Sequence, residues 1–315
     1  MGGVEKSSAL GRIICGLCSW RGSSFDFQEV NYQNEPQNEI MLIRPWKWPQ
    51  NMVNIHGQVL GFATHSAIQV ARRVLGRYVA SQKEFRAQVE DKIGLEIGGP
   101  SPAFRDTGEL PLYRYLACLD NCVFSGETIW GGKRAEGHTF SYHPRKPNGF
   151  NFIREATDLA GIGNQQYDFI LSSHNLEHIS NPVRAMKEWT RVVKPGGVII
   201  VLLPDHRRTF DHQRRPTSIE HMLRDYELGR DERDLTHLEE ILELHDLSRD
   251  PAAGTAENFR QRSLRNFENR CLHHHVFDER NSRELFEAVG LTVELLELAK
   301  PHHIAILARC PSVRA

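Results

Sequence analysis

KIGLEIGGPSPAF, residues 92–104, decides the fold. Ile93–Ile97 is a short apolar run without polar alternation, the pattern of a strand buried in the centre of a parallel sheet. Glu96 stands where that run ends, and a turn made almost wholly of Gly, Pro and Ser comes directly after it. Such a junction brings bare backbone amides against a polar cofactor, and its carboxylate can hold a cationic or hydroxyl group there. Alone this is a weak signal, and the downstream strands and polar residues give it weight.

Leu112–Leu119 reads as a second strand ending at Asp120. The interval from Glu96 to Asp120 is close to the roughly 20 residues that separate a glycine turn from the ribose-binding acid of a dinucleotide-type unit. Asp120 can accept from both ribose hydroxyls, or it can simply cap a turn. Residues 125–150, rich in Gly, Pro and basic side chains, read as an inserted loop. Tyr167–Leu171 is another strand, and it ends in Ser172, Ser173, His174 and Asn175, polar residues at the carboxyl end where open α/β sheets place ligands. Asn181 and Pro182 open a helix as N-cap and first-turn proline, Val183, Met186, Trp189 and Val192 give it an apolar face, and Gly196 and Gly197 stop it. Val198–Leu203 is the most hydrophobic strand and runs into Pro204, Asp205 and His206.

Residues 205–272 are too long for a simple connection. Thr217 with Glu220 and Thr236 with Glu239 match capping boxes, so two helices are expected in a charged, histidine-rich insertion that is either a cap over the sheet edge or a solvated excursion. Asn281 with Glu284 then opens a helix through Val289, and Leu291–Leu296 and His303–Ala308 are closing strands. Upstream, residues 1–50 read as an irregular arm carrying Trp46 and Trp48, and His56–Val79 as an amphipathic helix, structural or a lid. Strands separated by helical patterns indicate a mainly parallel sheet covered on both faces.

With 25% charged and 40% hydrophobic residues and a formal net charge of -1 over 315 residues, the composition is that of an ordinary globular protein. It gives no basic bias toward nucleic acid. No run approaches the roughly 20 apolar residues of a membrane span, and MGGVEKSSAL has no signal-peptide core, so a cytoplasmic protein with no membrane partner is expected. Cys15 and Cys18 form a CxxC without a second pair; either His273, His274 and His275 complete a zinc site or the two are reduced thiols.

Taken together, LEIGGPSP, Asp120, YDFILSSHNLEHISNP and RVVKPGGVIIVLLPD, with the closing HHVFDERNSRELFEAVGLTVE, resemble the class I methyltransferases that use S-adenosylmethionine (SAM). The resemblance covers roughly residues 90–310 less the insertion. It implies an α/β, Rossmann-like fold with a mainly parallel seven-stranded sheet and helices on both faces. The domain layout is then an N-terminal arm and helical extension over 1–90 and a SAM-binding domain over 91–315, with the cap insertion at about 205–272. It further implies that Glu96, Gly98, Gly99 and Ser101 surround the amino-acid part of SAM and that Asp120, with Asn121 beside it, holds the ribose. Asp158 and Leu159 would flank the adenine, and Ser173 and His174 would lie beside the methionine portion or the methyl. One departure stands out: where the family has a second glycine, this chain has Pro100, which has no amide to donate, and the Ser101 hydroxyl can compensate. GGPSP-type loops resemble those of bacterial methyltransferases associated with sugars or secondary metabolites, so natural product biosynthesis is the expected setting.

Methyl transfer from a sulfonium is an in-line displacement in which orientation does much of the work. A hydroxyl acceptor also needs a base, and histidine suits that role near neutral pH. His174, His178, His206 and His245 are the candidate bases, with Asp205 beside His206 as an orienting carboxylate. Asp205, Asp211, Asp246, His206 and His245 could form a hard-metal set, but their spacing matches no dedicated motif and no metal ligand is assigned from the sequence. The expected function is SAM-dependent methylation of a small polar acceptor, most simply at an oxygen, by a possible homodimer. The alternatives are a SAM-fold binding protein without turnover, which Pro100 favours, and a metal-dependent hydrolase.

Overall fold

The computed structural model describes residues 78–128 and 132–312. The Trp46–Trp48 arm, the Cys15–Cys18 pair and nearly all of the expected 56–79 helix lie outside the described residues. In chain order the elements are helix α1 (Gln82–Val89) and strands β1 (Ile93–Ile97), β2 (Cys118–Val123), β3 (Glu127–Thr128), β4 (Gly132–Lys133), β5 (Gly137–Phe140), β6 (Gly149–Ile153) and β7 (Tyr167–Ser173). Helix α2 (Pro182–Val192) and the long strand β8 (Val193–Pro204) come next. The insertion carries α3 (Ile219–Glu227), α4 (Leu238–Leu244), α5 (Ala256–Leu264) and α6 (Asn266–Asn269), and the chain closes with α7 (Glu279–Ala288), β9 (Thr292–Ala299) and β10 (His303–Arg309).

Eight strands form one sheet in the order β5-β6-β2-β1-β7-β8-β10-β9. β6, β2, β1, β7 and β8 are mutually parallel, while β10 lies antiparallel between β8 and β9. This is the expected α/β, Rossmann-like sheet of seven strands, with β5 added antiparallel on the β6 edge. On one face Leu95, Ile170, Ile199 and Val201 pack against Trp189 of α2 and Phe286 of α7. On the other, Leu119, Phe169 and Ile200 meet Phe85 and Val89 of α1 together with Phe104 and Tyr113. Burying each such side chain contributes roughly 1.5–3 kcal/mol, which is what fixes the helices to the sheet. No helix among the described residues is long and apolar enough to cross a membrane.

Local signals decide where elements begin. Asn181 Oδ1 accepts from Arg184 N at 3.0 Å, so the expected cap and first-turn proline do start α2. That helix ends at Val192, and the Lys-Pro-Gly-Gly run lies inside β8 rather than stopping a helix. Ser218, not Thr217, caps α3; His237, not Thr236, precedes α4; and Asp278 caps α7 with Asn281 closing its capping box.

The second strand is displaced from its expected place. Leu112–Leu119 is not a strand: Tyr113–Tyr115 is a single helical turn, and Leu112 and Tyr113 are buried against the α1 side of the sheet. β2 starts at Cys118 and continues through Asn121 to Val123. Asp120 therefore sits mid-strand, opposite Leu95, and not at the carboxyl end. Its Oδ1 accepts from Phe150 N at 2.7 Å and its Oδ2 from the Tyr167 hydroxyl at 2.8 Å, tying the starts of β6 and β7 together. Both oxygens are engaged toward the amino-terminal half of the sheet, which leaves the ribose role expected of Asp120 without support. Asp120→Asn is expected to lower stability in urea by about 1–3 kcal/mol while changing SAM affinity less than about two-fold. A tenfold affinity loss at unchanged stability would return Asp120 to the ligand site.

Candidate active site

The parallel strands deliver their carboxyl ends to one edge, and there the turn after β1 is organised by Glu96. Its carboxylate is fully buried and accepts from Ser101 N at 3.0 Å, from the Ser101 hydroxyl at 2.6 Å and from the Tyr113 hydroxyl at 2.7 Å. Burial pushes the Glu96 carboxyl up to about 7, against the pull of the Ser101 and Tyr113 donors and of Arg134. Gly99 N donates to Asn121 Oδ1 at 2.9 Å, Asn121 Nδ2 donates to Asn151 Oδ1 at 2.7 Å, and Arg134 closes the ring on the Gly99 carbonyl. Ser101 thus supplies the donors that Pro100 lacks, but it directs them at Glu96. Glu96, Gly99, Ser101 and Asn121 form one hydrogen-bonded unit. Tyr113, Arg134 and Asn151 belong to it too, and no local pattern marks them.

Gly98 opens this loop to solvent at φ +82°, and a Cβ there would stand 2.7 Å from Asn175 Nδ2. Only glycine fits, so bare backbone faces outward at the end of β1. Beside it, on β7 and the turn after it, Ser172 Oγ and Asn175 Oδ1 are buried without a hydrogen-bond partner. A bare backbone turn flanked by unanswered polar atoms suits the polar amino-acid end of a nucleoside-linked cofactor, and SAM fits these residues.

His174 leaves β7 at φ +49°, with Nε2 2.8 Å from His303 Nδ1 and Nδ1 3.6 Å from Glu177 Oε1. Glu177 is 1% exposed, and neither carboxylate oxygen has a hydrogen-bond partner. Burial pushes its carboxyl up to about 7, with His273 pulling the other way. His178 Nδ1 lies 3.1 Å from the Leu272 carbonyl, and its ring meets that of His273 edge-on at 4.5 Å. His273 Nδ1 is 2.5 Å from Asp211 Oδ2, and Arg214 binds the other Asp211 oxygen at 3.1 Å. Burial opposes both charges, yet the attraction wins: Asp211 is held down at about 2 and His273 is raised above its ordinary value. Burial lowers His178 to about 3 and places His174 well below the ordinary range, so both are neutral at neutral pH.

The other candidate bases fall elsewhere. His245 is sandwiched between Phe210 at 4.3 Å and Phe259 at 4.2 Å, with Nε2 3.2 Å from Asp250 Oδ2. Asp205 does not orient His206, because its Oδ1 binds Arg207 Nε at 2.7 Å. Asp246 pairs with His212 at 2.9 Å, and among the described residues no convergent group of three donors includes any of the five residues of the conceivable metal set. Leu159 is fully buried in the core, with its amide on Glu188 Oε2 at 3.0 Å, and Asp158 is exposed, so only Asp158 keeps a side chain free to meet a ligand. Glu177 sits inside LEH, a triplet read for its histidine, and nothing local announces that Asp211 and His273 close over it.

A cavity of about 240 Å³ opens on the β5–β6 side of the loop, lined by Pro100, Lys133, Arg134, Phe140, Ser141 and Asn151. A void of about 10 Å³ lies between Phe210, His245, Phe259 and His273. Lys133 and Arg134 give the larger space its charge.

The methyltransferase domain family matches residues 84–296. No curated protein matches the sequence. Among solved structures, a SAM-dependent methyltransferase from Methanosarcina mazei is 14% identical, with 74% of this chain and 99% of that one covered at a TM-score of 0.41. One from Mesorhizobium loti is 11% identical, covering 73% and 95% at 0.40, and one from Aquifex aeolicus is 11% identical, covering 78% and 97% at 0.37. With the family matched over most of its length and the parallel sheet, glycine turn and strand-end polar cluster in place, the chain belongs to the methyltransferase domain family, enzymes that use S-adenosylmethionine.

Proposed function

We propose that this methyltransferase O-methylates a small polar acceptor, an oxygen of a sugar or secondary metabolite, with Glu177 as the base. The observation that carries this is a carboxylate buried at the ligand edge with both oxygens unanswered and its proton affinity set near neutrality. The Gly98–Gly99 turn, Ser173 and His174 hold the amino-acid end of SAM, and Asn121 braces the turn from below. Bound SAM supplies an electrophilic methyl group whose transfer leaves a neutral thioether. Glu177 orients the acceptor hydroxyl through one carboxylate oxygen and takes its proton as the oxygen–carbon bond forms. His273, fixed by Asp211 and raised above its ordinary value, favours the charged form of Glu177 before transfer, and neutral His174 and His178 line the acceptor's approach.

A buried general base contributes typically 10²–10⁴-fold. Glu177→Gln is therefore expected to slow turnover about 10²-fold or more with SAM affinity nearly unchanged. In the parent, turnover should rise as pH passes through about 7, where Glu177 loses its proton. Unchanged turnover in this variant would remove Glu177 as base. His206→Ala and His245→Ala should leave the pH profile in place, and a profile lost in either would restore that histidine. For stability the sign is opposite to the usual carboxylate case. The unfolded carboxyl ionises near 4.5 and the folded one near 7, so the folded state binds more protons between these values and stability falls as pH rises across them. Glu177→Gln should thus be more stable to urea than the parent at pH 8 and lose that advantage as pH falls toward 4.5.

Isothermal titration with SAM and with its demethylated product tests the cofactor half of this reading. Binding of both is expected, and binding of neither would overturn it. A panel of sugars, phenols and amines tests the acceptor half, with transfer to hydroxyls expected and transfer confined to amines contradicting it.

A further inference from the structure

Helix α3 places His221 and Asp225 one turn apart, four residues along the same face. His237, at the start of α4, faces them across the intervening loop. His221 Nε2 lies 3.1 Å from His237 Nε2 and 3.2 Å from Asp225 Oδ2, and one donor atom from each residue lies within 4.8 Å of the other two. Asp225 is only 4% exposed, yet its Oδ2 has no hydrogen-bond partner.

Hydrogen bonding does not satisfy this trio. One proton can bridge the two imidazole nitrogens, and Nε2 directs a single bond along the ring bisector. The nearby carboxylate oxygen, itself buried although His221 reaches solvent, is then left without a donor, a costly arrangement. A cation at the point where the three converge answers all of them. Zinc–nitrogen and zinc–oxygen bonds of about 2.0–2.2 Å in a tetrahedron require donor–donor separations of about 3.3 Å, close to the two short distances here. Two imidazoles and one carboxylate form a borderline donor set that suits zinc and disfavours magnesium or calcium, which take oxygen. His237 Nδ1 stands 3.8 Å from Glu240 Oε2, the kind of outer carboxylate that fixes a ligating ring. His275 Nε2 stands 3.9 Å from Asp225 Oδ2 but is engaged by the Ser180 carbonyl at 3.1 Å, which leaves the fourth position to water.

We propose that His221, Asp225 and His237 bind a zinc ion that clamps α3 to α4. The site is separate from Glu177 and from the methyl-transfer reading, and it gives the insertion a crosslink that neither helix provides by itself.

Full-length protein, purified without a polyhistidine tag and without chelator, is expected to carry about one zinc per chain by elemental analysis. His237→Ala and Asp225→Asn should each lose it, with circular dichroism and SAM binding showing that they still fold. Glu177→Gln and the double variant Cys15→Ser/Cys18→Ser should keep it. Added chelator should lower the melting temperature of the parent and leave that of His237→Ala unchanged. If the parent takes up no metal after incubation with zinc, or if His237→Ala and Asp225→Asn retain it, the site does not exist. If Glu177→Gln or the cysteine variant loses it, the metal sits elsewhere and the proposal is overturned.

Discussion

A carboxylate that water cannot reach must be met by donors or keep its proton, and that constraint organises the ligand edge of this protein. Glu96 and Glu177 are both buried at the ends of neighbouring strands, and burial pushes both up to about 7. Their surroundings differ. Glu96 is answered by a serine amide, a serine hydroxyl and a phenol, and so it shapes the turn after β1. Glu177 is answered by no hydrogen bond. The same residue type is thus a brace in one place and stands unanswered in the next, and the difference lies in the supply of donors.

The insertion makes the second environment. Asp211 and His273 enter from its two ends and form the ion pair that faces Glu177, while Arg214 fastens both ends by binding Asp211 and the His273 carbonyl at 2.8 Å. The three consecutive histidines are interior residues with different partners: His273 meets Asp211, His274 meets Asn266 and His275 meets the Ser180 carbonyl.

Much of the frame is legible in the sequence because its signals are local. β1, β7, β8 and β10 announce themselves by apolar runs, and α2 by its asparagine cap and proline, so these elements emerge from a single reading of the chain, whereas their order in the sheet does not. β2 is misplaced by that reading for a physical reason: Asp120 and Asn121 look like the end of a strand, whereas both are hydrogen-bonded inside it, to Tyr167 and Asn151. β6 escapes it because the strand is short and lies in a segment with the composition of a loop. The site is less legible than the frame. Glu96, Gly99, Ser101 and Asn121 come together as a unit, but what distinguishes Glu177 is the absence of donors, a property of groups up to about a hundred positions away that no spacing rule reports.

The part of the insertion from Leu235 to Leu272 has a small apolar cluster of its own, built on Ile241, Phe259 and Leu272. Its fastenings to the rest of the molecule are mostly polar, including Arg214 to Glu240 and Arg270 to Glu155. Detaching such a lobe uncovers little hydrocarbon, so it would barely register in the heat capacity or denaturant sensitivity of unfolding, both of which scale with exposed area. An opening of this lobe with the sheet still folded would be read as loss of amide protection along α4 and α5.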